Sequence, residues 1–355
     1  MARRATAVSL ACLLAAGLTP PLRPASGARA VPDCSAPDSP REVGLSAAHD
    51  GPAARDDSVS GAAREGVSGA AQEGASGVAY DGGAGGARRP VSGQGDDPRS
   101  SGPRQPRLRD VEQVLTELAQ RLAGVTVPDE VIVPTWVHVL TDGVRRASNA
   151  DVRAQIDALN SAYSGALGGA ATGVHFRLDG ISVKEDASWF IDPIGNERAM
   201  KSALRRGGPE TLNLYIGQLG DLVLGFSTYP YWYGESPTLD GVVIDWRSLP
   251  GGALVNYNRG YTGVHEIGHW LGLFHTFENG CAYPGDGITD TPPEAKPTEG
   301  CPDFKETCAE RGPDPIHNYM DYAHDRCMWE FTAEQAKRMH QMWAVYRGRG
   351  SLSAL

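Results

Sequence analysis

His265-Glu266-Ile267-Gly268-His269-Trp270-Leu271-Gly272-Leu273-Phe274-His275 is the stretch on which the reading of this chain turns. His265 and His269 are four residues apart, so on a helix both imidazoles leave one face and can reach one metal ion. Glu266 follows the first histidine, where its carboxylate can reach a water on the open side of that metal. Gly272 accepts the left-handed backbone that stops a helix and turns the chain, which brings His275 back as a third ligand. Three protein ligands and one open position is the arrangement of a catalytic zinc, whereas a structural zinc is closed by four. The pattern therefore predicts a helix over Thr262–Leu273 that carries a single zinc ion, with Glu266 beside it as a base.

Outward from this stretch, periodicity alternates between helix and strand. Leu108, Val111, Val114, Leu115, Leu118 and Leu122 recur at helical spacing, and Gly124 ends the run. Val131–Leu140 and Val174–Val183 read as strands. Between them Ser148 opens a helix, with Asp151 three residues on and Val152, Ile156 and Leu159 as its apolar face. Glu197–Arg205 reads as a short helix, and Leu212–Ile216 and Val242–Trp246 as short β-rich runs. Thr332 is the expected N-cap of a last helix reaching Tyr346. Strands interspersed with helices imply an α/β layer structure. Residues 277–331 show little periodicity and are rich in Pro, Gly and Asp, so that region needs staples.

Cys281, Cys301, Cys308 and Cys327 lie in it. In an exported chain four such cysteines suggest two disulfides, with three pairings open. A four-thiolate zinc site is the competing reading, but no Cys-x-x-Cys pair is present. Export itself is read from the N-terminus. Arg3 and Arg4 precede an apolar Ala5–Leu18, and Ala28-Arg29-Ala30 offers a small-x-small cleavage site, so residues 1–30 are expected to be a signal peptide. Residues 31–106 contain three octapeptide copies, VSGAAREG, VSGAAQEG and ASGVAYDG, spanning Val59–Gly82. A stretch so rich in Gly, Ala and Ser cannot bury enough apolar surface to offset chain entropy, and reads as a linker or removable pro-segment. Cys34 within it either ligates the zinc to hold a latent form or serves as an intermolecular or idle thiol. Residues 107–355 are then the folded domain. The formal net charge is −10, and the first 106 residues carry 11 charges of each sign, so all the acidic excess falls after Pro106. An acidic folded part argues against a nucleic-acid partner or an anionic membrane surface. No apolar run reaches the length of about 20 residues that a membrane anchor needs.

The eleven-residue pattern resembles the metzincin zinc peptidases, which add a tight turn carrying Met beneath the metal. Asn318-Tyr319-Met320-Asp321-Tyr322 fits that turn. With His275-Thr276-Phe277, the Asp286…Asp290-Thr291-Pro292 segment, Asp314-Pro315-Ile316-His317 and the four cysteines, residues 130–346 are similar to the pappalysin (cytophagalysin) family, most of all to its short secreted bacterial and fungal members. The resemblance implies an α/β (α+β) catalytic domain: a twisted, mixed five-stranded sheet over the active-site helix, with a loop-rich C-terminal half. It implies His265, His269 and His275 as zinc ligands, Glu266 as general base, Met320 as the floor and Tyr322 as a hydrogen-bond donor to the oxyanion. It also implies Cys281–Cys308 and Cys301–Cys327 disulfides, and calcium at Asp286, Asp290 and Thr291, where a solvated acidic loop is the other reading. Gly225, Phe226, Ser227 and Thr228 match the edge strand beside the cleft, and Asp325 a site for Arg or Lys after the scissile bond, with Arg326 adjacent as a competitor. His138, His175, His317, His324 and His340 are read as structural or surface residues.

The expected function is a secreted, monomeric zinc endopeptidase acting on proteins or peptides. A zinc amidase on a non-protein amide shares the same metal chemistry. A zinc-holding binding module would have no need of Glu266.

Overall fold

The computed structural model describes residues 108–220, 223–309 and 312–348. The expected signal segment 1–30, the segment 31–106 and Cys34 lie outside the described residues. The elements in chain order are α1 (Leu108–Arg121), β1 (Val131–Thr141), α2 (Asn149–Tyr163), β2 (Val174–Glu185), α3 (Ala187–Ile191), α4 (Glu197–Leu204), β3 (Leu212–Gly217), β4 (Gly225–Ser227), β5 (Val242–Asp245), α5 (Tyr261–Trp270) and α6 (Ala333–Met342).

The five strands form one mixed sheet in the order β2-β1-β3-β5-β4. β1 pairs parallel with both β2 and β3, β3 pairs parallel with β5, and only β4 runs antiparallel, against β5. All of β3 and β5 is buried, as central parallel strands covered on both faces must be. β2, at one edge, alternates buried and exposed over its first residues. Between Thr135 and Trp136 the β1–β2 register skips Asp179, and the Trp136 ring occupies the space a side chain at Gly180 would need.

Each face of the sheet has its own cover. Val131, Val133, Val137, Val139, Leu214, Ile216, Val242 and Ile244 pack against Val152, Ile156 and Leu159 of α2 and Val264, Ile267 and Trp270 of α5. The opposite face, with Leu140, Tyr215, Phe226 and Val243, is closed by Phe190 of α3 and Met200 of α4. Each such side chain contributes roughly 1.5–3 kcal/mol through removal from water. α1 builds a smaller core through Val111, Val114 and Leu118 against Tyr229, Trp232, Phe274, Met342 and Val345.

Local chemistry sets the ends of the helices. Ser148 and Asp151 form the expected reciprocal capping box on α2, and Thr332 and Gln335 form one on α6. The helix of α5 is shorter than the expected Thr262–Leu273. It stops at Trp270, because Gly272 turns at φ +96° and the Leu273 N–H bonds back to the Gly268 carbonyl. Helical backbone after Thr332 continues to Arg347, but in α geometry only as far as Met342, with a π-helical turn after it. α5 is pinned from three sides. The Tyr163 hydroxyl donates to the Val264 carbonyl and Gln155 Nε2 to the Gly260 carbonyl. At its C-terminus, Arg347 Nε donates to the Trp270 carbonyl while its guanidinium lies 3.5 Å from the centre of the Trp270 ring and pairs with Asp240.

Between Leu271 and Phe331 regular structure nearly vanishes: a short 3-10 turn at Asp325–Cys327 and one bridge, Asn318 to Glu330. Cys281–Cys308 and Cys301–Cys327 are disulfide-bonded in the pairing the family resemblance implies, which excludes a thiolate zinc site.

Candidate active site

α5 presents His265 and His269 on one face, and the turn at Gly272 returns His275 to them. The His269 Nε2 stands 3.2 Å from that of His265 and 3.1 Å from that of His275. The other ring nitrogens set the tautomers. His265 Nδ1 lies 2.7 Å from the Tyr319 carbonyl oxygen and His269 Nδ1 2.8 Å from that of Leu273. A carbonyl can only accept, so Nδ1 carries the proton in both rings and Nε2 is left with a bare lone pair. Burial keeps all three imidazoles neutral, with His265 lowered to about 4 and the other two well below the usual histidine range. Lone pairs converging on one point repel each other unless a cation lies between them, so this donor set fits zinc. Among the described residues it is the one such group of three or more His, Cys, Asp or Glu side chains.

Glu266 is buried one position along the helix, against Gly225 of β4. A Cβ at Gly225 would come within 2.9 Å of Glu266 Oε1, so glycine there leaves the carboxylate its room. Burial pushes the Glu266 carboxyl up to about 8. Below α5, Met320 is fully buried, and its sulfur fills the hollow that Gly268 leaves. The same turn supplies the Tyr319 carbonyl to His265 and, from Met320, a carbonyl to the Thr276 N–H. Tyr322 puts its hydroxyl 3.1 Å from His275 Nε2, with nearly half of the residue open to solvent.

Asp325 is buried under the Arg259–Tyr261 backbone. Its Oδ2 accepts the Arg259 N–H at 2.7 Å, while Oδ1 has no partner among the described residues. Burial raises its carboxyl to about 6. The neighbouring Arg326 is exposed, and the cation acting on Asp325 is Arg259. Gly225, Phe226 and Ser227 form β4 on the outer edge of the sheet, with Phe226 turned into the core, and Thr228 follows with its hydroxyl on Asp240. Asp286 and one oxygen of Asp290 accept from the protein's own donors, Thr291 among them. Asp286 accepts from the Ile288 N–H and the Thr291 hydroxyl, and Asp290 accepts the Glu334 N–H at the start of α6. These contacts tie the loop together and to the start of α6.

Periodicity and spacing do not reveal three neighbours of the site. The Tyr229 hydroxyl stands 3.1 Å from His269 Nδ1, Glu278 Oε2 stands 3.6 Å from His275 Nδ1, and the Phe277 ring stacks on His275 at 4.7 Å. Phe277 and Glu278 follow His275 closely enough to be suspected, but Tyr229 carries no local signal. Of the remaining histidines, His138 bonds Asn213 and Ser182, His340 bonds the Pro128 and Thr172 carbonyls, and His317 stacks on Trp329, all structural roles.

Comparison with known proteins gives a consistent picture. The peptidase family M43 model, described as pregnancy-associated plasma protein-A, matches residues 225–344. An extracellular metalloprotease of Sordaria macrospora is 38% identical over 260 residues, covering 68% of this chain and 86% of that protein. One from Neurospora crassa is 39% identical over 262 residues, again covering 68% and 86%. Among solved structures, mature mirolysin of Tannerella forsythia in complex with a cleaved peptide aligns with a TM-score of 0.55 at 27% identity, over 61% of this chain and 93% of that one.

Proposed function

The chain belongs to the M43 family of pregnancy-associated plasma protein-A, a zinc metalloendopeptidase family, and from that premise we propose how its residues bind and cut a substrate. The observation that carries the reading is the convergence of three Nε2 lone pairs with Glu266 beside them. His265, His269 and His275 hold the zinc. When bound, zinc supplies Lewis acidity, polarising the scissile carbonyl and acidifying the attacking water.

Glu266 takes the proton of the attacking water on a carboxylate oxygen and delivers it to the leaving amine. Tyr322 donates its hydroxyl to the oxygen that gains charge in the transition state, a bond worth more there than in the ground state. β4 offers its outer edge to an extended peptide, which adds to the sheet by backbone hydrogen bonds. Gly225 lets that backbone pass close to Glu266. Asp325, with one carboxylate oxygen unpaired and buried, takes Arg or Lys after the scissile bond. The first thirty residues direct export, in keeping with the extracellular relatives, and residues 31–106 act as a removable segment.

The purified protein, freed of residues 31–106 where necessary, should hydrolyse casein or a peptide library. A zinc chelator should stop it, and Glu266→Ala should lower kcat by about 100- to 10,000-fold. Cleavage that survives either treatment would remove this mechanism. A library without enrichment of Arg or Lys after the cut would remove the role of Asp325.

A further inference from the structure

A buried polar cluster joins the loop that follows His275 to the Met320 turn. Glu294, Thr276, Thr298 and Asp321 are all at most 1% exposed. Lys305 reaches into the cluster with its side chain 14% exposed. Its ammonium contacts Glu294 Oε1, the Lys296 carbonyl at 2.5 Å, Thr298 Oγ1 at 3.1 Å and Asp314 Oδ2 at 3.3 Å. This is an all-oxygen surround with two carboxylates, of the kind that otherwise holds a hard cation. Here the cation is the chain's own. Its charge is needed, because burial and the charge of Asp321 both push the Glu294 carboxyl upward.

Two hydrogen-bond paths leave this cluster for the active site. Glu294 Oε2 accepts the Thr276 hydroxyl at 2.8 Å, and Thr276 is the residue after His275. Thr298, whose hydroxyl donates to Glu294 Oε1, gives its N–H to Asp321 Oδ1 at 2.9 Å. That same oxygen accepts the Tyr322 N–H at 2.7 Å. One buried group of charges therefore holds the Thr276 side chain, next to His275, and the Tyr322 backbone N–H.

We infer that Lys305, Glu294, Thr276 and Asp321 are positioning residues, and that the Lys305 ammonium is a tethered cation fixing His275 and Tyr322 relative to each other. None of them touches the substrate or the metal. They act by limiting how far the third ligand and the oxyanion donor can drift, a form of outer support whose loss typically costs 10- to 100-fold in metal affinity or activity. The inference rests on the proposed roles of His275 and Tyr322.

Thr276→Val, which removes one hydroxyl and no charge, is the decisive variant, with Thr276→Ser as the conservative control. On a chelator-sensitive peptide assay, Thr276→Val should lower kcat about 10- to 100-fold with KM little changed. It should also lose zinc to a competing chelator correspondingly sooner. Thr276→Ser should restore both. Lys305→Met should move kcat and zinc retention in the same direction. If wild type cleaves and Thr276→Val matches it in kcat and zinc retention, or if Thr276→Ser is as impaired as Thr276→Val, the inference falls while the proposed function stands. A wild type without chelator-sensitive cleavage would overturn both.

Discussion

Between Val131 and Trp270 the buried residues comprise 31 apolar and 15 polar or charged side chains, whereas between Leu271 and Phe331 they comprise 11 and 10 among the described residues. The first region spends its apolar residues on a sheet and the helices covering it. The second has no α-helix or multi-residue strand among the described residues and is held by two disulfides, the Lys305 cluster and side chains that bond backbone. The active site lies on the seam. His265, His269 and Glu266 come from the first region, and His275, Met320, Tyr322 and Asp325 from the second. A regular layer gives two ligands a fixed spacing, since helix geometry permits no other. An irregular region can bring the proposed third ligand, floor and oxyanion donor from positions 10 to 60 residues away, provided that polar bonds replace the missing periodicity.

That contrast can be tested from both sides. A polar anchor ties the regular half to the C-terminal turn: Arg347 and Asp240, both essentially buried, pair at the end of α5. Arg347→Met leaves Asp240 buried without its cation and should cost about 3–5 kcal/mol in urea unfolding. A loss below about 1 kcal/mol would place the anchoring of α5 in apolar packing alone. In the irregular half, replacing both Cys281 and Cys308 by Ala removes a link across 27 residues and should cost about 2–4 kcal/mol. Hydrogen exchange should then rise across residues 277–331 first, with the β1, β3 and β5 amides still protected. Simultaneous loss of protection in both halves would show that they unfold as one unit.

The proposed selection of Arg or Lys after the scissile bond draws on Asp325, in the second half. The Asp325 carboxyl, raised to about 6 by burial, is charged above that pH and neutral below it. The preference for Arg over Leu after the scissile bond should therefore fall as pH drops through about 6, and Asp325→Asn should abolish the pH dependence. A preference that persists at pH 5 would locate the selecting charge elsewhere. The smallest effect belongs to the regular half. Ser148→Ala removes the α2 cap and should cost about 1 kcal/mol without changing kcat.

Local rules accounted for α1, β1, α2, β2, α4 and α6 to within a few residues, because each carries an apolar period, reinforced in α2 and α6 by a capping box. They overran α5, since its apolar run continues to Leu273 while Gly272 has already turned the chain. They missed α3, five residues long and too short for a period to show. The three converging histidines and Glu266 were legible because helix spacing and one turn bring them together within eleven residues. Asp325 was proposed from its place five residues past Met320, and its burial and orphan oxygen came only from the fold. Arg347, Asp240, Lys305 and Glu294 look in the sequence like ordinary surface charges, and nothing local distinguishes them.

Taken by itself, then, the sequence determined the helices and strands with strong periods, the three histidines with their base, and the acidic character of the folded part. All of these depend on neighbours within about two helical turns or on simple counting. Tertiary structure decided the strand order, the choice of β4 as an open edge, the convergence of the Nε2 lone pairs with the Tyr322 hydroxyl, and the burial of the charges behind them. Those depend on residues well apart in the chain, as with His275 and Tyr322, 47 positions apart, whose contact no local pattern encodes. A buried charge is tolerable only when its partners close around it, and the closing of that shell is a property of the folded chain.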